Sequence, residues 1–200
     1  MQLTTEGGYL MFEVVSALQK EIRRGKEEEA MFWALELESR YAAYLWFRLA
    51  IIASEDIGPA DSSVAVLIHS LRQDYEMVRE RSKRPSERII LAHAIIALCR
   101  AQKSRLADDL AALVGHLRES EGMKPEIPDY ALDSHTQKGR AMGRDWDFWA
   151  EEGLKLHPES PLPNPYRDRA LHLRKEHGRL YRAEKVKPAG RRKKDEELFE

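Results

Sequence analysis

A single cysteine, Cys99, stands in 200 residues. It excludes an intramolecular disulfide framework and a multi-cysteine zinc site, and it fits a reducing cytoplasm. Net charge is equally scarce: 33 basic against 34 acidic residues leave −1. No overall field draws in nucleic acid or an anionic membrane, so any such contact has to be local. Long apolar runs are missing. The longest, YLWFRLAIIA, is interrupted by Arg48 and falls short of the ~18 residues that a membrane span needs, so no membrane partner is expected. The N-terminal MQLTTEGGYLMFE has no basic region leading into an apolar run, and no signal peptide is expected there. There is no GxxxxGK(S/T) loop, no GxGxxG, no HExxH pair and no serine nucleophile elbow. The usual residues for gripping phosphate, binding zinc or attacking a carbonyl are therefore absent, and neither an enzymatic activity nor a cofactor is expected.

What the chain does have is helical periodicity. Leu10, Val14, Leu18 and Ile22 recur every four residues and stop at Gly25. Ala30, Trp33, Ala34 and Leu37 mark a second helix opened by three glutamates, which suit a helix N-terminus. Residues 41–57 read as a third helix, apolar around most of its girth and hence central. Asp61 caps a fourth, with Val64, Leu67, Ile68, Leu71, Tyr75 and Val78 on one face. Pro85-Ser86 opens a fifth, with Ile90, Ala94, Ala97 and Leu98 on one face. Ser104 opens a sixth, with Leu106, Leu110, Leu113 and Leu117 expected to point inward. No strand pattern precedes residue 120, so the fold class is all-α.

The character changes after residue 120, where seven of the nine prolines lie. Helical pieces are predicted at 129–141, 145–155 and 166–177, with the proline-rich HPESPLPNPY extended between them. Aliphatic residues are few, and Trp146, Phe148 and Trp149 take the place of a core. The expected division is a helical domain over 1–122, an arm over 123–184 anchored by those aromatics on the core or on a neighbouring subunit, and a disordered charged tail over 185–200. That tail carries six basic residues and then DEELFE. Its Leu198-Phe199 pair resembles the short Leu-Phe peptides that bind sliding clamps, with a solvated terminus as the alternative reading.

Candidate chemistry is thin. Lone His93 lacks a helical partner for a metal, Asp133 and His135 are two apart and do not share a helix face, and Cys99 reads as core. KGRAMGR reads as a helix with its C-cap, with a phosphate site as the alternative. Its cations Lys138, Arg140 and Arg144, with Arg191 and Arg192 of the tail, are the candidate DNA contacts. The sharper anomaly is AIIASEDIGPAD. Glu55 and Asp56 stand where a helix ends at Gly58-Pro59, and carboxylates there oppose the helix dipole. Either they hold a fixed cation as a pin between helices, or the corner is a ligand or partner site. Arg48, two turns earlier, and Lys103-Ser104, which offer a cation and free backbone donors, are the expected partners, with Glu55 as the buried member.

These residues also carry a family pattern. VVSALQKEIRRG supplies Ser16-Ala17, Lys20 and Arg24-Gly25, and AMFWALELE supplies Ala30 and Trp33. IIASEDIGPAD supplies Ala53, Glu55 to Gly58 and Ala60-Asp61, and SERIILAHAIIALCRAQKS supplies Leu91-Ala92 and Lys103-Ser104. Over about residues 9–115 the chain resembles the C-terminal helical domain of the RarA/MgsA family of AAA+ ATPases of replication-associated recombination. The eukaryotic members of that family include the Werner helicase-interacting ATPase. IPDYALDSHTQKGRAMGRDWDFWAEEG is similar to the family's later segment. Two departures stand out: Arg105 replaces the asparagine that usually follows the Lys-Ser pair, and GRDWDFWAEEG replaces a Gly/Tyr-rich turn. The family's ATPase and lid modules correspond to no part of this sequence, so ATP hydrolysis is not implied. What the resemblance does imply is a bundle like a clamp-loader collar that joins subunits into a homotetramer, alone or with a separate AAA+ ATPase subunit or replication protein. Two alternatives remain: a DNA-binding accessory protein using the basic C-terminal segments, and an uncharacterised enzyme.

Overall fold

The computed structural model describes residues 3–177. The chain divides into two compact units, Met1–Lys124 and Pro125–Glu200. Among the described residues there are helices but no strands, only an isolated bridge between Thr4 and Leu10. None of these helices is long and apolar enough to cross a membrane. Arg191, Arg192 and the Leu198-Phe199 pair lie outside the described residues.

In the first unit, α1 (Met11–Arg23) packs along α2 (Glu27–Ile52), and α3 (Ser62–Arg81) packs along α4 (Glu87–Arg100). α1 buries Val14, Leu18 and Ile22, as its four-residue spacing predicts. The chain reverses after it at Gly25, whose φ of +69° is a conformation that side-chain-bearing residues resist. Leu37, Leu45, Trp46, Leu49 and Ile52 of α2 form the centre of the core, against Ile68 and Tyr75 of α3 and Leu91 and Leu98 of α4. Each fully buried leucine or isoleucine there contributes roughly 1.5–3 kcal/mol. Asp61 caps α3, its carboxylate accepting from the Ser63 N–H at 3.2 Å.

Three features depart from the sequence pattern. The second and third predicted helices form one helix, because no glycine, proline or cap separates them; the path only kinks at Tyr41 (φ −128°, ψ 32°). The Tyr41 hydroxyl is tethered to the Thr4 carbonyl at 2.9 Å. Second, α5 (Leu106–Glu119) buries none of its residues, which corrects the expectation that its leucines point inward. Third, a buried carboxylate within α2 went unseen. Glu38 accepts hydrogen bonds from the Tyr75 hydroxyl at 3.0 Å and from Arg88 Nε at 2.9 Å, tying α2 to α3 and α4. Burial and the Glu38 charge both push the Tyr75 phenol well above its ordinary range. Tyr75→Phe is expected to lower stability by about 1–1.5 kcal/mol, since Glu38 keeps only Arg88. An unchanged urea midpoint would contradict this.

The second unit is built from short pieces. A single 3-10 turn over Asp129–Ala131 precedes α6 (Gln137–Ala141). Then α7 (Trp146–Phe148) runs into a wide π turn over Trp149–Gly153, and α8 (Arg167–His177) follows. The predicted continuous helix over 129–141 is broken because side chains capture the main chain. Asp133 Oδ1 accepts from the His135 N–H at 2.8 Å, and Thr136 Oγ1 accepts from the Gly139 N–H at 2.9 Å. Trp146 and Trp149 lie with ring centres 4.3 Å apart, and His135 meets Trp149 edge-on at 5.5 Å. The Arg144 guanidinium sits 4.1 Å above the Phe148 ring. Trp146 and Trp149 thus contact each other, and Phe148 contacts Arg144, within their own unit.

Candidate functional site

The end of α2 carries the acids. After Ile52 the helix widens into a π turn over Ala53–Ile57 and stops at Gly58, whose φ is +49°. A Cβ on Gly58 would lie 3.5 Å from the Ala107 side chain, so α5 passes close by. Asp56 is the buried member, with 1% of its side chain exposed, while Glu55 keeps 23%. This reverses the expectation that Glu55 is the buried acid.

Two guanidiniums close on the pair. Arg23, the last residue of α1, places Nε 2.7 Å from Asp56 Oδ1 and Nη2 2.9 Å from Glu55 Oε1. Arg105, just before α5, places Nη1 2.6 Å from Glu55 Oε1 and 2.9 Å from Asp56 Oδ1, while its Nη2 holds Asp108. Gln19 Nε2 donates to the other Asp56 oxygen at 2.9 Å. The Ser104 N–H donates to the Asp56 main-chain carbonyl at 2.9 Å. Two negative charges face two positive ones, which answers the unfavourable helix dipole and the cost of burying Asp56. The result is a corner that joins α1, the end of α2 and the start of α5.

The expected partners are placed differently. Arg48 does not pair with Glu55: its Nη2 donates to Gln19 Oε1 at 2.9 Å, so it reaches Asp56 only through the Gln19 amide. Lys103 does not reach the acids either. Its Nζ donates to the carbonyls of Leu98, Cys99 and Ala101 at 2.7, 2.9 and 2.8 Å, satisfying the open C-terminus of α4. Burial holds its pKa below the usual lysine range. Ser104 contributes its backbone N–H to the corner, and its hydroxyl accepts from the Leu106 N–H at 3.2 Å. Arg23, Arg105 and Gln19 were missed. The one available signal was Arg105 itself, a cation substituted beside the Lys-Ser pair.

Burial is the largest single influence and works against the Glu55 charge, but the hydrogen bond and charge of Arg105, together with the Gln19 amide, outweigh it and hold the carboxyl below its ordinary 4.5. A carboxyl with a lower pKa folded than unfolded adds stability above the unfolded value and loses it as pH falls through the folded one. Glu55→Gln is therefore expected to flatten the loss of stability below pH 4.5. Denaturation midpoints collected down to pH 3 test this; a variant whose acid limb matches the wild type would contradict it.

Both carboxylates of the corner are held across helices by Arg23 and Arg105, while Arg48 Nε is buried without a hydrogen-bond partner. The Cys99 thiol is pushed up to about 11 by burial and so is unreactive. Of the candidate DNA contacts, Lys138 and Arg140 are exposed, and Arg140 Nη1 donates to the Ser134 carbonyl at 3.1 Å. Arg144 is corrected. It lies 2.5 and 2.6 Å from the Asp129 oxygens and 3.0 Å from the Leu132 carbonyl, and its charge serves the fold of the second unit.

The described residues form helices only, and an arginine–carboxylate corner joins three of them. The chain is a member of the family described as MgsA AAA+ ATPase C terminal, whose model matches residues 26–187 and so runs through both units. Over 180 residues it is 28% identical to Replication-associated recombination protein A of Bacillus subtilis (strain 168), covering 84% of this chain and 40% of that protein. Over 149 residues it is 29% identical to ATPase WRNIP1 of Dictyostelium discoideum, covering 73% of this chain and 16% of that one. The chain thus spans less than half the length of either relative. This family is the C-terminal domain of replication-associated recombination AAA+ ATPases.

Proposed function

We propose that the chain is a non-catalytic module that joins copies of itself, as a homotetramer, and so assembles replication-associated recombination machinery. The observation that carries this reading is apolar surface left open around the first unit. Phe12 of α1, Phe32 and Phe47 of α2, Ile89 and Ile96 of α4 and Leu106, Leu110 and Leu113 of α5 are all exposed. A mainly apolar groove of about 480 Å³ runs between α2 and α4, lined by Met31, Phe32, Leu35, Ala92, Ile95 and Ile96, with Glu27 and Glu28 at one end. Scattered exposed side chains are ordinary, but exposed apolar residues on several helices mark surfaces that another chain covers. Nucleotide hydrolysis belongs to an AAA+ partner subunit or module.

Light scattering on the intact chain at micromolar concentration tests the reading. The expected mass is a multiple of 23.1 kDa, four-fold for the tetramer. A mass of 23.1 kDa across that range would overturn it.

A further inference from the structure

Unlike α1 to α4, α5 buries none of its side chains, although it is amphipathic. Leu106, Leu110 and Leu113 are 63%, 60% and 58% exposed, and Leu117 follows on the same stripe. The helix is fixed at its start by Arg105 on Glu55 and Asp56, with Ala107 turned toward Gly58, so the stripe faces away from the body of the first unit.

The spacing of the stripe is 4-3-4, the seam of a coiled coil, and it reads the same in both directions. A surface that matches its own reverse suits a two-fold contact between identical chains. Two antiparallel copies set Leu106 against Leu117 and Leu110 against Leu113, filling every layer. Polar groups on one flank add direction. Asp109 and His116 lie two turns apart on one flank, with acids Asp108 and Asp109 in the first turn and His116 and Arg118 in the last. Antiparallel pairing brings Asp109 of one copy beside His116 of the other, twice, and opposes the two helix dipoles. Parallel pairing sets that flank against the flank of Ala107 and Val114 and leaves these groups unmatched.

We infer that α5 pairs antiparallel with α5 of a second copy of this chain, across a two-fold axis between Leu110 and Leu113. The inference rests on the self-association reading and names its surface. It also gives the acid corner a purpose: Glu55, Asp56 and Arg105 fix the angle at which α5 is presented.

The test uses the full chain with Asp109→Cys and His116→Cys together. Within one helix these positions are two turns, about 10 Å, apart and beyond disulfide reach. Mild oxidation is expected to give a covalent dimer from the double variant and none from either single variant. Separately, Leu110→Asp with Leu113→Asp is expected to halve the solution mass while helicity by circular dichroism is retained. If the wild type assembles but the double cysteine variant does not cross-link and the aspartate variant keeps its mass, another part of the chain or another surface covers α5. That result overturns this inference and leaves self-association standing. A wild-type mass of one chain overturns both.

Discussion

Replacing Asp56 by alanine is expected to cost about 3 kcal/mol of folding stability, the largest loss from any one side chain of the corner. Asp56 is almost wholly buried and accepts from Arg23, Arg105 and Gln19 at once. Its removal leaves the buried Gln19 amide without its acceptor and takes one of two carboxylates from between two guanidiniums. Arg23 and Arg105 keep 35% and 42% of their side chains open to water, so solvent recovers part of the loss and the effect stays at the low end for a broken buried pair. Asp56→Asn keeps the shape and one acceptor and should cost about half as much. Glu55→Ala should cost about 1 kcal/mol, because Glu55 is more exposed and Asp56 still holds both arginines. Urea denaturation of the three variants gives the order; equal losses for the two alanine variants would contradict the assignment of Asp56 as the centre.

The second large effect lies in the other unit. A Cβ added at Gly139 would fall 2.0 Å from the Asp133 carbonyl oxygen, 2.5 Å from that of Leu132 and 2.6 Å from the Asp133 carbonyl carbon. These are main-chain atoms already fixed: the Leu132 carbonyl accepts from Arg144, and the Asp133 carbonyl from the Thr136 N–H. No rotamer relieves the clash, so the turn over residues 132–136 has to open. Gly139→Ala is expected to destabilise the second unit by about 3 kcal/mol or more. Gly143→Ala meets no atom within 4 Å and pays only for φ +75°, about 1 kcal/mol. Amide exchange should therefore show lost protection over residues 129–153 in Gly139→Ala, with the first unit unaffected. Equal protection in both glycine variants would refute the close approach.

The sequence and the structure agree where local pattern decides the outcome. α1, α3 and α4 follow from apolar residues at three- and four-residue spacing, and Asp61 caps α3 as a short acceptor before an apolar run must. The corner was visible as an anomaly, since two acids at a helix end demand cations. Its partners were not, because Arg23 and Arg105 lie 33 and 49 residues from Asp56 among 33 basic residues, and spacing along one helix cannot choose between them. Arg48 looked suitable on helical phase alone and instead reaches the carboxylate through Gln19. Glu38 carries no local signal that sets it apart from the other acids of α2. The α5 stripe shows the limit most clearly: 4-3-4 leucines say that a helix wants a partner, but not whether that partner lies in the same chain.

In the second unit the two glycines of KGRAMGR have different causes. Gly143, with φ +75°, terminates α6, as the cap reading of that motif has it. Gly139 lies inside α6 and is required by contact rather than by φ. Thr136 and Asp133, which break the predicted helix, are the residue types that compete for backbone donors. The basic residues around them read as a binding surface, yet Arg144 is consumed within the unit.

We propose that Glu55 and Asp56 lock helices together, with Arg105 holding α5 to the end of α2. A double-mutant cycle between Asp56→Asn and Arg105→Gln, read by urea denaturation of the intact chain, measures that contact directly. The two losses are expected not to add, with a coupling of about 1–2 kcal/mol. Losses that add to within about 0.3 kcal/mol would show that Asp56 and Arg105 stabilise the fold independently, and would contradict the lock.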